Sequence, residues 1–277
     1  MKVAVLGAGG KMGSTVVQAV LQESDLELVA LVDPKLSGIE YSHALGIAGT
    51  GLIVSGDLSE LLRSGTEVAI DFTDAASAYQ NLMFCAENGI SAVVGTTGLS
   101  TLQLEELNER FLASGVGCIV AANFAIGAIL MMKFAEMAAP FFHSVEVVEM
   151  HHDTKVDAPS GTALTTARRI GRAKVASGGA FEPDPTQKFV VEGARGASVD
   201  GVGIHSLRIR GAIAHQEVVM GTTGQSLTIR HDSYDRSSFM PGVIIATRGV
   251  ASVKGLTIGV DDLIEGMFNS MSTGEAK

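Results

Sequence analysis

The sequence predicts an α/β protein whose first part is a doubly wound parallel sheet and whose second part is an α+β region on an open, mixed sheet. Three observations carry this reading. Short apolar runs alternate with helical periodicity up to Asn123, and beyond it strand patterns follow one another through short turns. A chain of 277 residues that is 46% hydrophobic and only 18% charged exceeds one ordinary core and is too apolar for disorder.

Taken in order, the first apolar run is Val3 to Leu6, within KVAVLG, which is apolar on both faces as a central parallel strand should be. Helical spacing follows from Met12 to Gln22, then a strand from Leu26 to Val32. Val68 to Phe72, Ser91 to Val94 and Gly117 to Val120 read as further strands, separated by helices over Ala75 to Asn88 and Leu102 to Ala113. A helix over Ala125 to Ala138 opens the second part and leads into SVEVVEM, and one more helix starts at Thr162. Four strand patterns come next: KFVVE, GIHSLRIRG, HQEVVMG and QSLTIRH. From Phe239 the periodicity turns helical again, and this segment is expected to pack back on the first part.

Composition narrows the function. A formal net charge of -10 with no basic run argues against nucleic acid as a partner. No stretch approaches the roughly 20 apolar residues of a membrane span, and the strand pattern at Val3 follows no basic region and cleavage site, so a cytoplasmic protein is expected. Cys85 and Cys118 lie in apolar segments without metal-type spacing and read as small buried hydrophobes.

The string GAGGKMG places Gly7, Gly9, Gly10 and Gly13 where the first strand turns into the first helix. It departs from GxGxxG, yet it meets the same need for a tight turn, close backbone approach to a pyrophosphate and helix–strand packing. Asp33 stands twenty residues past Gly13 at the end of the second strand, where a carboxylate can accept from ribose hydroxyls. Together these predict a Rossmann-like dinucleotide-binding domain. The Asp33 carboxylate favours NADH by repelling a 2′-phosphate, whereas Lys11 and Lys35 could offset that repulsion, so NADH and NADPH both stay open. DFT at Asp71 to Thr73 and GTTG at Gly95 to Gly98 end strands where open α/β sheets bind ligands, and AANF at Ala121 to Phe124 sits where a hinge would close.

The segment EMHHDTKVDAPSGTA, Glu149 to Ala163, concentrates two histidines, a lysine and a helix start. Adjacent residues of an extended chain face opposite ways, so His151 and His152 are poorly placed to share a metal, and no HExxH or cysteine cluster is present. No metal is expected. Ser160 lacks a GxSxG elbow and fits a helix N-cap. What is left is an anion-binding, proton-donating cluster: the free N–H groups at Gly161 and Thr162 suit one carboxylate, and His152 or Lys155 could meet a second. His205, His215 and His231 are scattered among strands and read as satisfied sheet histidines.

GAGGKMG, DFT, VGTTG, AANF, HHDTKVDAPSGTA and RHDSYDRSSFMPGV together resemble the 4-hydroxy-tetrahydrodipicolinate (dihydrodipicolinate) reductases of lysine and diaminopimelate biosynthesis. The resemblance implies reduction of a cyclic dicarboxylate by NADH or NADPH with loss of water, giving tetrahydrodipicolinate. It implies a dinucleotide-binding domain over residues 1–124 and 239–277 and a substrate-binding and oligomerisation domain over 125–238, assembled as a homotetramer. It places His151 on the acid/base histidine, Lys155 on the proton donor, and His152, Gly161 and Thr162 on substrate-carboxylate contacts. The cofactor positions it implies are Gly7, Ala8, Gly9, Gly10, Lys11, Met12, Asp33, Gly95, Thr96, Thr97, Ala121, Ala122, Asn123 and Phe124. Lys11 stands where many members carry arginine, Ala125 departs from the NFS pattern, and SLRIRG departs from SLRGG. The alternatives are a reductase of an amino-acid semialdehyde, against which the PSGTA helix start speaks, and a non-catalytic dinucleotide-sensing module, against which His151 and Lys155 speak.

Overall fold

The computed structural model describes residues 1–46 and 50–273, with side chains described through residue 267. Residues 47–49 and 274–277 of the ranges expected above lie outside the described residues. The chain forms two compact units, Met1–Phe124 with Phe239–Lys277, and Ala125–Ser238.

The first unit runs β1 (Lys2–Leu6), α1 (Lys11–Gln22), β2 (Glu27–Val32), the short α2 (Tyr41–Leu45) and α3 (Glu60–Arg63), β3 (Val68–Asp71), α4 (Ala75–Glu87), β4 (Ser91–Val94), α5 (Thr101–Ser114) and β5 (Gly117–Val120). The second unit holds α6 (Ile126–Ala138), β6 (Ser144–His151), α7 (Gly161–Ala176), β7 (Ala197–Val199), β8 (Val202–Arg208), β9 (Ala214–Thr222) and β10 (Gln225–Ser233). The chain then re-enters the first unit with α8 (Met240–Gly249), β11 (Gly255–Ile258) and α9 (Asp261–Thr273).

Six parallel strands in the order β11-β5-β4-β3-β1-β2 make the first sheet. Every residue of β3, β4 and β5 is buried, which requires strands apolar on both faces and explains why none alternates. The helices that cover the sheet are punctuated locally. The Asp74 side chain accepts from Ala76 and Ser77 at the start of α4, and Ser100 forms a capping box with Gln103 on α5. The strand order reverses between β1 and β3, so the carboxyl ends of these two strands open the crevice in which such sheets bind ligands.

The second sheet, β10-β9-β6-β8-β7, is mixed: β6 and β8 are parallel and the other neighbours antiparallel. Along β6 burial alternates, and Val145, Val147 and Glu149 all face the covered side. The fold class is therefore the expected one, with two corrections. KFVVE is no strand; Phe189, Val190 and Val191 lie exposed in an irregular segment, and the place beside β8 is taken by Ala197–Val199. Conversely β11, only four residues long, was hidden in the helical reading of the last segment; it becomes a strand by pairing with β5.

Candidate functional site

At the β1–α1 turn, Gly7 has φ +73, and its N–H donates to the Val32 carbonyl at 2.8 Å. The buried Ala8 passes its carbonyl to the Tyr41 hydroxyl at 2.8 Å; burial first, and the nearby Asp33 charge, push that phenol up to about 12. Gly10 is the N-cap of α1 and, having no side chain, caps none of the first-turn N–H groups, which leaves them available to an anion. Lys11 is exposed and Met12 half-buried at that helix start. A Cβ on Gly13 would lie 2.0 Å from the Gly7 carbonyl oxygen, and one on Gly9 2.8 Å from Asp33 Oδ2.

Asp33 is buried and held from both sides. Its Oδ2 accepts the Gly9 N–H at 2.9 Å and its Oδ1 the Lys35 N–H at 3.0 Å, which caps a short 3₁₀ turn. It lines a cleft of ≈ 650 Å³ with Gly7, Gly9, Gly10, Lys35, Phe72 and Thr73. The backbone thus approaches this cleft at glycines where a side chain would intrude, beside a fixed carboxylate and an uncapped helix end. That donor set fits a dinucleotide.

The loops after β3 and β4 are tied by one side chain that sequence reasoning did not single out beyond its motif. Asp71 is buried, and Oδ1 accepts from Thr73 N at 2.8 Å, Thr73 Oγ1 at 2.6 Å and Thr96 Oγ1 at 3.5 Å, while Oδ2 accepts from Asn81 Nδ2 at 2.7 Å. Gly95 is forced by Phe72, whose ring carbon lies 1.9 Å from where a Cβ would stand. Thr97 and Ala122 are exposed, Ala121 is buried, and Phe124 packs with its ring centroid 6.0 Å from that of Phe72. Asn123 is half-buried beside it in sequence.

In the second unit, β6 ends at His151 and α7 begins at Gly161, with the loop between them carrying His152 and Lys155. Ser160 is the N-cap, its Oγ accepting the Ala163 N–H at 3.2 Å. One carboxylate organises this region. Glu149, fully buried, accepts from Arg208 Nη2 at 2.9 Å on Oε1 and Arg208 Nη1 at 3.0 Å on Oε2. Oε1 also accepts the Ser160 N–H at 3.2 Å, and Oε2 lies 2.5 Å from His151 Nδ1. Arg208 in turn donates to the Asp157 carbonyl at 2.5 Å. Burial opposes the charge on Glu149, but Arg208, the Ser206 hydroxyl and His151 outweigh it and hold the carboxyl below its ordinary value.

A carboxylate so held accepts and does not donate, so His151 Nδ1 is the donor of this pair. Burial lowers the His151 pKa further than Glu149 raises it, with the Lys155 and Arg208 charges adding to the lowering. Lys155 Nζ pairs with Asp157 at 2.7 Å. His152 stands apart from this network: it is exposed, and its Nδ1 is 2.7 Å from Thr154 Oγ1. Gly161 is exposed and has open space around it, and Thr162 uses its carbonyl to accept from Thr166 Oγ1 at 2.7 Å. Glu149 and Arg208 were not among the expected site residues. A signal for Glu149 existed: it occupies the third inward position of V-E-V-V-E, where only an apolar or a paired residue belongs. Arg208 carried no such signal, because its pairing depends on register across the sheet, where it lies opposite His151.

His205 and His215 are satisfied sheet histidines, at 2.7 Å from Glu146 and Asp232 respectively. Both cysteines are buried.

The family description "Dihydrodipicolinate reductase, N-terminus" matches residues 1–124, and "Dihydrodipicolinate reductase, C-terminus" matches residues 127–264. The chain is 48% identical over 266 residues to a 4-hydroxy-tetrahydrodipicolinate reductase of Streptomyces coelicolor, covering 96% of this chain and 98% of that one. It is 44% identical over 270 residues to one from Moorella thermoacetica, with 96% and 98% covered. A dipicolinate-bound dihydrodipicolinate reductase from Paenisporosarcina sp. TG-14 is similar with a TM-score of 0.83 and 41% identity, over 95% of this chain and 98% of that chain. An amine dehydrogenase from Mycobacterium smegmatis, at TM-score 0.63 and 15% identity over 93% and 94%, shares the fold alone.

Proposed function

The chain belongs to the dihydrodipicolinate reductase family, and from that premise we propose that it reduces 4-hydroxy-tetrahydrodipicolinate to tetrahydrodipicolinate, with loss of water, using NADH or NADPH. The observation that carries the reading is the His151–Lys155 loop running directly into the uncrowded, Ser160-capped start of α7. A dicarboxylate needs two anion sites; the Gly161 and Thr162 N–H groups with the Thr162 hydroxyl supply one, and His152 the other.

The reduced nicotinamide supplies a hydride and no proton. The protein must therefore deliver the proton, and Lys155, whose Nζ lies 2.7 Å from Asp157 Oδ1, is the donor. His151 acts beside it as the acid/base histidine. Gly7, Ala8, Gly9, Gly10, Lys11 and Met12 hold the pyrophosphate, and Asp33 the adenosine ribose. Gly95, Thr96, Thr97 and Ala121 to Phe124 contact the nicotinamide half. Residues 1–124 with 239–277 serve as the dinucleotide domain, and 125–238 as the substrate and assembly domain.

NADH is the expected first choice, because the Asp33 carboxylate is locked in place by two backbone N–H groups and cannot swing away from a 2′-phosphate. We further propose that the protein works in the cytoplasm as a homotetramer. Among the described residues, no helix is long and apolar enough to cross a membrane.

The test is loss of absorbance at the nicotinamide band with NADH and freshly condensed pyruvate and aspartate semialdehyde. No substrate-dependent oxidation with either cofactor refutes the assignment, and a strong NADPH preference in kcat/KM refutes the role given to Asp33.

A further inference from the structure

The Glu149–Arg208 pair lies under the site: Glu149 is wholly buried, and the Arg208 side chain, 19% exposed, has its guanidinium taken up by Glu149 and by the Leu207 and Asp157 carbonyls. A buried ion pair is weak evidence of a stability role, because an apolar pair of similar size often serves as well. What this pair does that an apolar pair could not is connect. Through hydrogen bonds it joins the end of β6 at His151, the loop at the Asp157 carbonyl and the start of α7 at the Ser160 N–H.

We propose that Glu149 and Arg208 are positioning residues of the reductase: Glu149 holds His151 as the Nδ1–H tautomer, and Arg208 neutralises Glu149 so that His151 stays uncharged with its Nε2 lone pair free. The division of labour follows from the charges. A histidine 2.5 Å from an uncompensated buried carboxylate would be drawn into its cationic form and would become a second proton donor beside Lys155. Two hydrogen bonds from Arg208, at 2.9 and 3.0 Å, cancel that charge. His151 then accepts and orients, and Lys155 alone gives the proton.

The charged groups bearing on the His151 ring are Glu149 on its own strand, Arg208 on β8 and Lys155 in the following loop. Its partner on β9 is Ala214, and α7 contributes the Ser160 N–H to the carboxylate. Arg208 and Lys155 both disfavour a cationic ring, so among the described residues it is the Glu149 carboxylate that draws a proton onto it.

This inference rests on the proposed reductase activity, and its test reports separately from that activity. In protein labelled with ¹⁵N-histidine, long-range ¹⁵N–¹H spectra read the tautomer of His151 directly, assigned by its loss in His151→Gln. The Nδ1–H form at neutral pH is expected; the Nε2–H form or an imidazolium overturns the proposal even if the wild-type protein is fully active. Glu149→Gln keeps the shape but cannot satisfy Arg208 and His151 together. It should lower kcat by about 10- to 100-fold, the range seen when the hydrogen-bond partner that orients a metal-ligating histidine is lost, with KM for substrate little changed. Arg208→Met should leave Glu149 uncompensated and move the acid limb of the kcat/KM profile to higher pH. An unmoved limb with unchanged kcat in both variants overturns the proposal. Should either variant fail to fold, the wild-type tautomer still decides.

Discussion

The Gly13→Ala substitution isolates the contribution of the nucleotide turn. An added Cβ would stand 2.0 Å from the Gly7 carbonyl oxygen, 2.8 Å from the Gly7 carbonyl carbon and 3.0 Å from Ala8 Cα, all backbone atoms that no side-chain rotation can move. Ordinary contact begins near 3.4 Å, so α1 must retreat from β1 by about 1.4 Å. Alanine is the better helix former by about 1 kcal/mol, which acts in the other direction. Overpacking a rigid contact costs about 1–3 kcal/mol, and here the neighbours are backbone, so the upper part of that range applies and the clash wins. The displaced atoms are the helix-start N–H groups expected to meet the pyrophosphate. The net of about 1–2 kcal/mol corresponds to a rise in the NADH dissociation constant of roughly 5- to 30-fold, measured by nicotinamide fluorescence, with a lowered Tm. Wild-type affinity and wild-type Tm in Gly13→Ala would refute the claim that this turn approaches the cofactor closely.

Three further outcomes are expected. Lys155→Ala should lower kcat by at least about 10²-fold while circular dichroism stays unchanged, and full turnover would remove Lys155 as the proton donor. Asp25 is held down to about 2 from 3.8 by its hydrogen bonds to Arg248, so its contribution to stability is present above pH 3.8 and lost as pH falls toward 2. The Tm gap between wild type and Arg248→Gln should accordingly narrow over that interval, and a constant gap would contradict it. Asp71 has the opposite sign: burial raises its pKa despite donors from Thr73, Asn81 and Thr96, so its favourable contribution is full below 3.8 and lost as pH rises through the raised value. Asp71→Asn should therefore gain Tm relative to wild type between pH 4 and 7, and equal differences at the two pH values would count against this.

These expectations draw unequally on sequence and structure. GAGGKMG and Asp33 were readable because the constraint on each is local: a turn that excludes side chains, and a carboxylate at a strand end. The assignment of β11 was not, since four residues with mixed exposure become a strand only by pairing with Gly117–Val120, far away in the chain. KFVVE failed for the converse reason, an apolar run that gains no strand partner in the fold.

What the sequence by itself determined is the periodicity that makes an α/β fold, the glycine turn, the Ser160 cap and the histidine–lysine loop that carries the family resemblance. Each is set by residues within one or two turns of one another. The tertiary structure alone decided that Glu149 and Arg208, 59 positions apart, meet beneath His151, within hydrogen-bond reach of its Nδ1. Cross-strand register is a property of two strands packed together, and no local pattern in either one encodes which carboxylate the arginine will reach.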